Sequence, residues 1–103
     1  MTTALTITTD RLPDGTAVLR AVGEIDMSNG DTLASALAGI RERLVLDLSE
    51  VEYLDSTGLN ILFAHASHVE LIAGPLLMPV LEISGLTELI TVNHTEKPSA
   101  ATG

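Results

Sequence analysis

Four consecutive residues, Asp55-Ser56-Thr57-Gly58, have side chains and a position in the sequence that favour phosphate chemistry. They follow an aliphatic segment typical of a strand and precede apolar residues at helical spacing. A hydroxyl at the start of a helix lies beside unpaired backbone N–H groups and a partial positive charge. We therefore expect local backbone donors to accommodate a phosphate on Ser56, beside the negative charge of Asp55.

The same tetrapeptide has an ordinary structural interpretation. Asp, Ser and Thr are preferred N-caps of helices, and Gly is common in turns. Capping preferences produce such strings often, so the four residues taken alone are more typical of a helix start than of a modification site. Both interpretations stay open at this stage.

Other reactive side chains give little indication of catalysis. His65 and His68 are three residues apart, a spacing that can hold a metal, but only Glu70 is a nearby third ligand, which favours a solvated helix end. Three further serines lack a base at a suggestive spacing: Ser35, Ser67 and Ser84. A Gly-rich phosphate loop is also absent from the sequence. We therefore expect no catalytic residue, no metal and no cofactor.

The composition narrows the range of partners. The 103 residues include 14 acidic and 5 basic side chains, a net charge of −9, with no cysteine. This charge argues against direct binding to nucleic acid or to an anionic membrane surface, but it permits a basic protein partner. Without cysteine there is neither a disulfide nor thiol catalysis. The sequence has no apolar run of membrane-spanning length and no leader pattern, so we expect a cytoplasmic protein.

The first half of the chain predicts a hairpin and a helix. Two strands are predicted here, over residues 5–9, where the side chains alternate in the pattern of a half-buried strand, and over residues 16–22. The Pro-Asp-Gly turn at 13–15 joins them. Ser28 and Asp31 are spaced like a capping box, with Asp in place of the longer Glu. One apolar face at helical spacing then follows: Leu33, Ala36, Leu37 and Ile40.

The middle of the chain supplies the elements that position the tetrapeptide. The continuous aliphatic segment 43–48 predicts a central strand covered on both faces. We expect residues 49–55 to form a loop after this strand, and a second helix to begin at Ser56. A short strand is predicted over residues 69–72.

The last third contains two prolines that limit its third helix. Pro75 suits a first helical turn, whereas Pro79 does not suit a helix interior, so the helix is either kinked or begins at Pro79 and lasts about one turn. Gly85 is predicted to be the C-cap of this helix. Residues 89–92 are predicted to form a last strand, and residues 94–103 are predicted to form a flexible tail. The order β-β-α-β-α-β-α-β predicts an α/β fold, a mixed sheet with helices packed on it.

Four segments carry a family resemblance. They are Gly-Glu-Ile-Asp at 23–26, Leu-Val-Leu-Asp-Leu at 44–48, Val-Glu-Tyr-Leu-Asp-Ser-Thr-Gly-Leu at 51–59, and Leu-Glu-Ile-Ser-Gly-Leu at 81–86. In this order they resemble the anti-sigma factor antagonists (anti-anti-sigma factors) of the STAS family. The resemblance implies a single STAS-like domain, which we assign to residues 1–93, with a mixed sheet and helices packed against it.

The resemblance also implies a function. An unphosphorylated antagonist binds an anti-sigma factor that has serine kinase activity, and a sigma factor is released. The kinase then phosphorylates the antagonist with ATP, binding ends, and a serine phosphatase resets the protein. By motif position the acceptor is Ser56, with Thr57 as the less favoured hydroxyl. The implied partner surface comprises six residues: Asp26, Asp55, Ser56, Thr57, Gly58 and Leu59.

Two departures from the family pattern leave an alternative open. The second helix and its following loop are roughly two turns shorter than usual, judged by ordinary crossover lengths, and Pro79 lies in the third helix. Some STAS domains serve instead as constitutive cytoplasmic subunits of membrane complexes, especially lipid-transport ABC systems. A small enzyme is a third possibility, which the residues support least because they offer no nucleophile and base together.

Overall fold

The computed structural model describes residues 4–94, which form a five-stranded sheet, three α-helices and one short 3-10 helix. The strands are β1 (Thr6–Arg11), β2 (Ala17–Ile25), β3 (Leu44–Leu54), β4 (Val69–Ala73) and β5 (Val92–His94). The helices are α1 (Gly30–Ala38), α2 (Ser56–Ala64), α3 (Met78–Ile83) and the 3-10 helix Leu86–Glu88. The domain bounds 1–93 and the tail 94–103 stay predictions, because residues 1–3 and 95–103 lie outside the described part.

The sheet has the mixed topology that the sequence predicted. Its spatial order follows the chain, β1-β2-β3-β4-β5. Strands β1 and β2 form an antiparallel hairpin, and every later neighbour pairs in parallel. Gly15 in the hairpin turn has a φ of 94°, a left-handed conformation that favours glycine. A parallel pair needs a crossover, and α1, α2 and α3 follow the three strands that require one.

The core lies on one face of the sheet. Leu19, Leu46 and Leu71 are register neighbours on β2, β3 and β4, and each is fully buried. They belong to one hydrophobic cluster that also contains the buried leucines of the helices: Leu33, Leu37, Leu62 and Leu81. Removing apolar surface from water at about 25 cal/mol per Å² is the main stabilising contribution to such a layer.

The second face of β3 differs from the prediction of a strand covered on both faces. Arg20 and Asp47 are register neighbours there; Arg20 is exposed, and its Nε lies 3.4 Å from a carboxylate oxygen of Asp47. Val45 and Ile72 on this face are only partly buried. Among the described residues this face contributes no member to the buried cluster, so the aliphatic run of β3 reflects burial on one face plus cover from neighbouring side chains.

The predicted loop over residues 49–55 is wrong, because β3 continues to Leu54. The continuation pairs with the end of β2, where Val51 lies opposite Gly23 and Leu54 opposite Ile25, with two register shifts on the way. Val51 and Leu54 are buried, so this segment belongs to the core despite its polar residues. A neighbouring strand supplies backbone partners that the sequence of one segment cannot show.

The third helix follows one of the two predicted alternatives. It spans six residues with Pro79 in its first turn, so no kink is needed. Gly85 follows the C-cap Ser84 with a φ of 85°, as the predicted helix stop requires. The last strand begins later than predicted, because the backbone N–H of Ile90 donates to the carbonyl of Leu86 and prolongs the turn.

Candidate functional site

The carboxyl ends of β2 and β3 bring two predicted site residues to one edge of the sheet. Asp26 directly follows β2, and Asp55 directly follows β3. The backbone N–H of Asp55 donates to the carbonyl oxygen of Ile25 at 3.2 Å, which joins the two strand ends. Parallel strands place their carboxyl ends at the same edge, where α/β sheets commonly carry their sites.

Asp55 is the N-cap of α2. Its backbone is extended, and its Oδ1 accepts hydrogen bonds from the N–H of Thr57 at 2.9 Å and of Gly58 at 3.2 Å. The carboxylate therefore already satisfies two of the first-turn donors and lies at the positive end of the helix. The expectation that local backbone donors accommodate a phosphate is wrong for these two N–H groups, because Asp55 occupies both.

The two neighbouring hydroxyl residues have different surroundings. Ser56 is the first residue of α2 and is exposed, whereas Thr57 is partly buried. The Thr57 methyl packs against the start of α1, since a Cβ added to Gly30 would come within 2.8 Å of Thr57 Cγ2. The side chain of Thr57 is thus part of the contact between two helices, while that of Ser56 faces solvent.

Gly58 and Leu59 support the site from beneath. Gly58 is buried, and a Cβ there would overlap Leu54 and lie 2.9 Å from Ile25 Cγ2. Glycine thereby lets the first turn of α2 sit directly on the ends of β2 and β3. Leu59 is partly buried and packs against the core. Their predicted place on a partner surface stays a prediction, since Gly58 offers little of itself to solvent.

Asp26 organises the turn between β2 and α1. Its Oδ1 accepts from the backbone N–H of Ser28 at 2.9 Å and from the Ser28 hydroxyl at 2.5 Å. Its own N–H donates to Asn29 Oδ1 at 3.0 Å, and Asn29 Nδ2 donates to the carbonyl of Glu24. The Ser28 hydroxyl, followed by the Ser28 N–H, lowers the pKa of Asp26 below 3.8. The predicted capping box is therefore wrong. Asn29 is the N-cap of α1, and the Ser28 hydroxyl donates to the Asp26 carboxylate instead.

A groove beside this turn contains residues that the sequence did not single out as functional. It is lined by Glu24, Asp26, Met27, Ser28, Glu52 and Tyr53. Met27 is 80% exposed and Tyr53 is 49% exposed, which is unusual for two large apolar side chains in one groove. The sequence features that could have indicated this groove are an apolar residue directly after Asp26 and an aromatic residue two positions before Asp55. That both residues line the same groove depends on the extended pairing of β3 with β2.

A family model described as "Mlab, STAS domain" matches residues 8–91, most of the chain. The chain belongs to the STAS family. The resemblance found in the sequence is thus confirmed at the level of the family, and the STAS domain here contains both Ser56 and the groove.

Individual relatives of this STAS domain share its length. BtrV of Bordetella bronchiseptica, named as a proposed anti-sigma factor antagonist, is 27% identical over 107 residues that cover 92% of this chain and 91% of BtrV. The crystal structure of an anti-sigma factor antagonist from Mycobacterium paratuberculosis is 31% identical and superposes with a TM-score of 0.78, covering 87% of this chain and 86% of that one.

A more distant structure supports the fold of the STAS domain. The unphosphorylated form of the anti-sigma factor antagonist SpoIIAA is 16% identical and covers 92% of each chain with a TM-score of 0.66. At this identity the likeness concerns the fold alone. The predicted α/β class, a STAS-like mixed sheet with helices packed against it, is therefore confirmed.

Three further observations concern metal binding and membrane insertion in the STAS domain. The rings of His65 and His68 meet edge to face with centroids 5.4 Å apart. Within residues 4–94 no three side chains of the ligand types His, Cys, Asp and Glu are grouped closely enough to hold a metal ion. In the same range no helix has the length and apolar character needed to cross a membrane.

Proposed function

We propose that this STAS domain is an anti-sigma factor antagonist whose binding is switched off by phosphorylation of Ser56. The observation that carries the proposal is the exposed Ser56 hydroxyl in the first turn of α2, at the edge shared by Asp26 and Asp55. The names of the relatives from Bordetella bronchiseptica and Mycobacterium paratuberculosis support the antagonist role. The proposed role requires binding only, with no catalysis by the chain itself, and its place of action is the cytoplasm.

Ser56 is the proposed acceptor rather than Thr57. The Ser56 hydroxyl is exposed, and a kinase reaches it without disturbing the packing of the domain. Thr57 is partly buried and holds its methyl against the start of α1, so it is less accessible to a kinase than Ser56. In the transfer, Ser56 Oγ attacks the γ-phosphorus of ATP, ADP leaves, and the hydroxyl proton passes to a base of the kinase.

The phosphate would end binding because this edge offers it little compensation. Asp55 already accepts from the N–H groups of Thr57 and Gly58, so these donors are not free to neutralise a phosphate. A phosphoserine adds a charge of about −1.5 to −2 beside the Asp55 carboxylate. The added charge and volume at this edge, beside the Asp55 carboxylate, therefore oppose binding of the partner. A serine phosphatase then restores the binding form.

Intact-mass spectrometry tests this proposal. The wild-type chain is incubated with ATP and with each purified anti-sigma factor of the source organism. We expect one added phosphoryl group on the wild-type chain and none on Ser56→Ala. Thr57→Val is the matched control, because it removes the hydroxyl and keeps the methyl that packs on Gly30, so its phosphorylation should persist. Phosphorylation of Ser56→Ala, or loss of phosphorylation in Thr57→Val, would contradict the assignment.

A second candidate is a constitutive subunit of a membrane complex, of the lipid-transport ABC kind. The observation that favours this candidate is the description of the matching family model, which gives the name Mlab and not that of an antagonist. Such a subunit would co-purify with membrane components whether or not ATP is added. Substituting Ser56→Asp distinguishes the two roles, since it should release an anti-sigma factor but leave a constitutive complex intact.

A further inference from the structure

The groove beside the Asp26 turn suggests what kind of surface the partner presents. We propose that Met27 and Tyr53 are the apolar anchors of the partner interface, and that the anti-sigma factor offers an apolar recess bordered by Lys or Arg. This inference rests on the proposed function and goes beyond it, because neither residue belongs to the six-residue partner surface that the family resemblance implies. We call the groove residues, namely Glu24, Asp26, Met27, Ser28, Glu52 and Tyr53, the anchor face.

Met27 is held in place although its side chain is exposed. It lies inside a turn closed by the Asn29 N–H, which donates to the carbonyl of Asp26 at 3.1 Å, and by the two bonds from Ser28 to the Asp26 carboxylate. The backbone under Met27 is therefore ordered before any partner arrives. A side chain presented on an ordered backbone loses less conformational entropy on binding, which raises affinity.

Tyr53 is fixed by the sheet. It lies on β3 with Glu24 as its register neighbour on β2, so its backbone is constrained on a paired strand. Tyr53 is 49% exposed, while Leu54 beside it is buried in the core. Aromatic residues and Met are enriched at the centre of protein interfaces, where a few such side chains carry most of the binding energy. Met27 and Tyr53, which line one groove, form such a centre here.

The charge of the anchor face selects the partner. Glu24, Asp26 and Glu52 surround the two apolar side chains, and no Lys or Arg is among the described residues that line the groove. The hydrogen bonds from Ser28 favour the ionised form of Asp26. A recess rimmed by basic residues matches this pattern, whereas an acidic or purely apolar partner would leave three carboxylates without compensation.

The anchor face adjoins the switch. Asp26 and Asp55 are linked through the strand ends by the bond from the Asp55 N–H to the Ile25 carbonyl. Tyr53 lies near the end of β3, and Ser56, the first residue of α2, follows it after two intervening residues. A phosphate on Ser56 therefore arrives at the margin of the anchor face, where added volume and hydration prevent the partner from closing over Tyr53.

Binding measurements on single variants test the inference. Each purified anti-sigma factor of the source organism is immobilised, and binding of the unphosphorylated chain is measured by surface plasmon resonance. We expect Met27→Ser and Tyr53→Ser each to weaken binding roughly 10- to 100-fold, the range for truncating an interface anchor. Both side chains are exposed, so circular dichroism should show unchanged folding.

Leu12→Ser is the matched control. Leu12 is 44% exposed, a fraction similar to the 49% of Tyr53. It precedes β2, whereas Met27 follows β2. The nine residues of β2 separate these positions by about 30 Å, so removal of Leu12 should change binding less than twofold. Glu52→Gln should slow association and reduce its dependence on salt, because steering by charge acts on the rate of encounter.

The outcomes separate the two proposals. If the wild-type chain binds an anti-sigma factor and the Met27 and Tyr53 variants bind as well as Leu12→Ser, the anchor face is refuted while the antagonist role stands. If Glu52→Gln leaves the salt dependence unchanged, the basic rim of the partner is refuted. If the wild-type chain binds none of the anti-sigma factors, the proposed function fails, and the anchor face, which rests on it, fails with it.

Discussion

Removing the carboxylate of Asp55 should destabilise the domain by a predictable amount. In Asp55→Ala the N–H groups of Thr57 and Gly58 lose the acceptor that they contact at 2.9 and 3.2 Å. Loss of an N-cap typically costs about 1 kcal/mol, with a range of about 0.5–2 kcal/mol. For a domain of this size, 1 kcal/mol corresponds to a decrease in melting temperature of roughly 4–8 °C.

Asp55→Asn is the matched variant that separates the hydrogen bonds from the charge. The Asn side-chain oxygen accepts the same two bonds and caps helices about as well as Asp. It loses only the attraction between the carboxylate and the helix N-terminus, about 0.3–1 kcal/mol on a partly exposed site. We therefore expect Asn to lower the melting temperature by less than Ala does.

Thermal unfolding followed by far-ultraviolet circular dichroism at neutral pH measures both variants. Equal losses for Asp55→Ala and Asp55→Asn would refute the reasoning, because the charge and not the acceptor would then be the stabilising feature. No loss in either variant would mean that α2 does not need its cap. Kinase labelling adds a second readout, since Asn should keep the first turn of α2, and with it Ser56, in place.

Two other substitutions have expected outcomes. Gly58→Ala should lower the free energy of unfolding by about 1–3 kcal/mol in chemical denaturation, because its methyl overlaps Ile25 and Leu54; a stabilised variant would contradict the packing. Ser28→Ala should raise the pKa of Asp26 toward 3.8 in an NMR titration. Because the pKa of Asp26 is lowered in the folded state, its ionised carboxylate stabilises the fold at pH values above 3.8, and this stabilisation is lost as the pH falls through the folded-state pKa. The destabilisation caused by Ser28→Ala should therefore disappear in acid. A pKa of Asp26 that is unchanged in Ser28→Ala would contradict this reasoning.

The sequence predicted those parts of the fold that depend on local patterns. The structure confirms three such predictions: β3 and α2 form where the aliphatic spacing predicted them, α2 begins at Ser56, and α3 ends before Gly85. Each of these is a property of a short segment. The order of elements then fixed a mixed sheet, because a hairpin followed by crossovers allows few topologies. The candidate acceptor could also be named from sequence, since its position depends on the strand and helix that adjoin it.

The remaining errors concern contacts that the pattern of a single segment does not show. Residues 49–54 resemble a loop in isolation, and only pairing with the end of β2 makes them a strand. Ser28 has the spacing of a helix cap, but the carboxylate of Asp26 binds its hydroxyl instead. The anchor face could not be found from sequence because Met27 and Tyr53 become neighbours through that same unexpected pairing.

The exposed position of Tyr53 gives the chain a built-in optical reporter. The chain contains one tyrosine and no tryptophan, so its tyrosine fluorescence arises from this single ring. A partner that covers the ring, or a phosphate placed beside it, changes that emission without any attached label. Iodide should quench the ring poorly and caesium efficiently, because the carboxylates of Glu24 and Glu52 repel anions and attract cations, and the ratio of the two measures the local electrostatic potential.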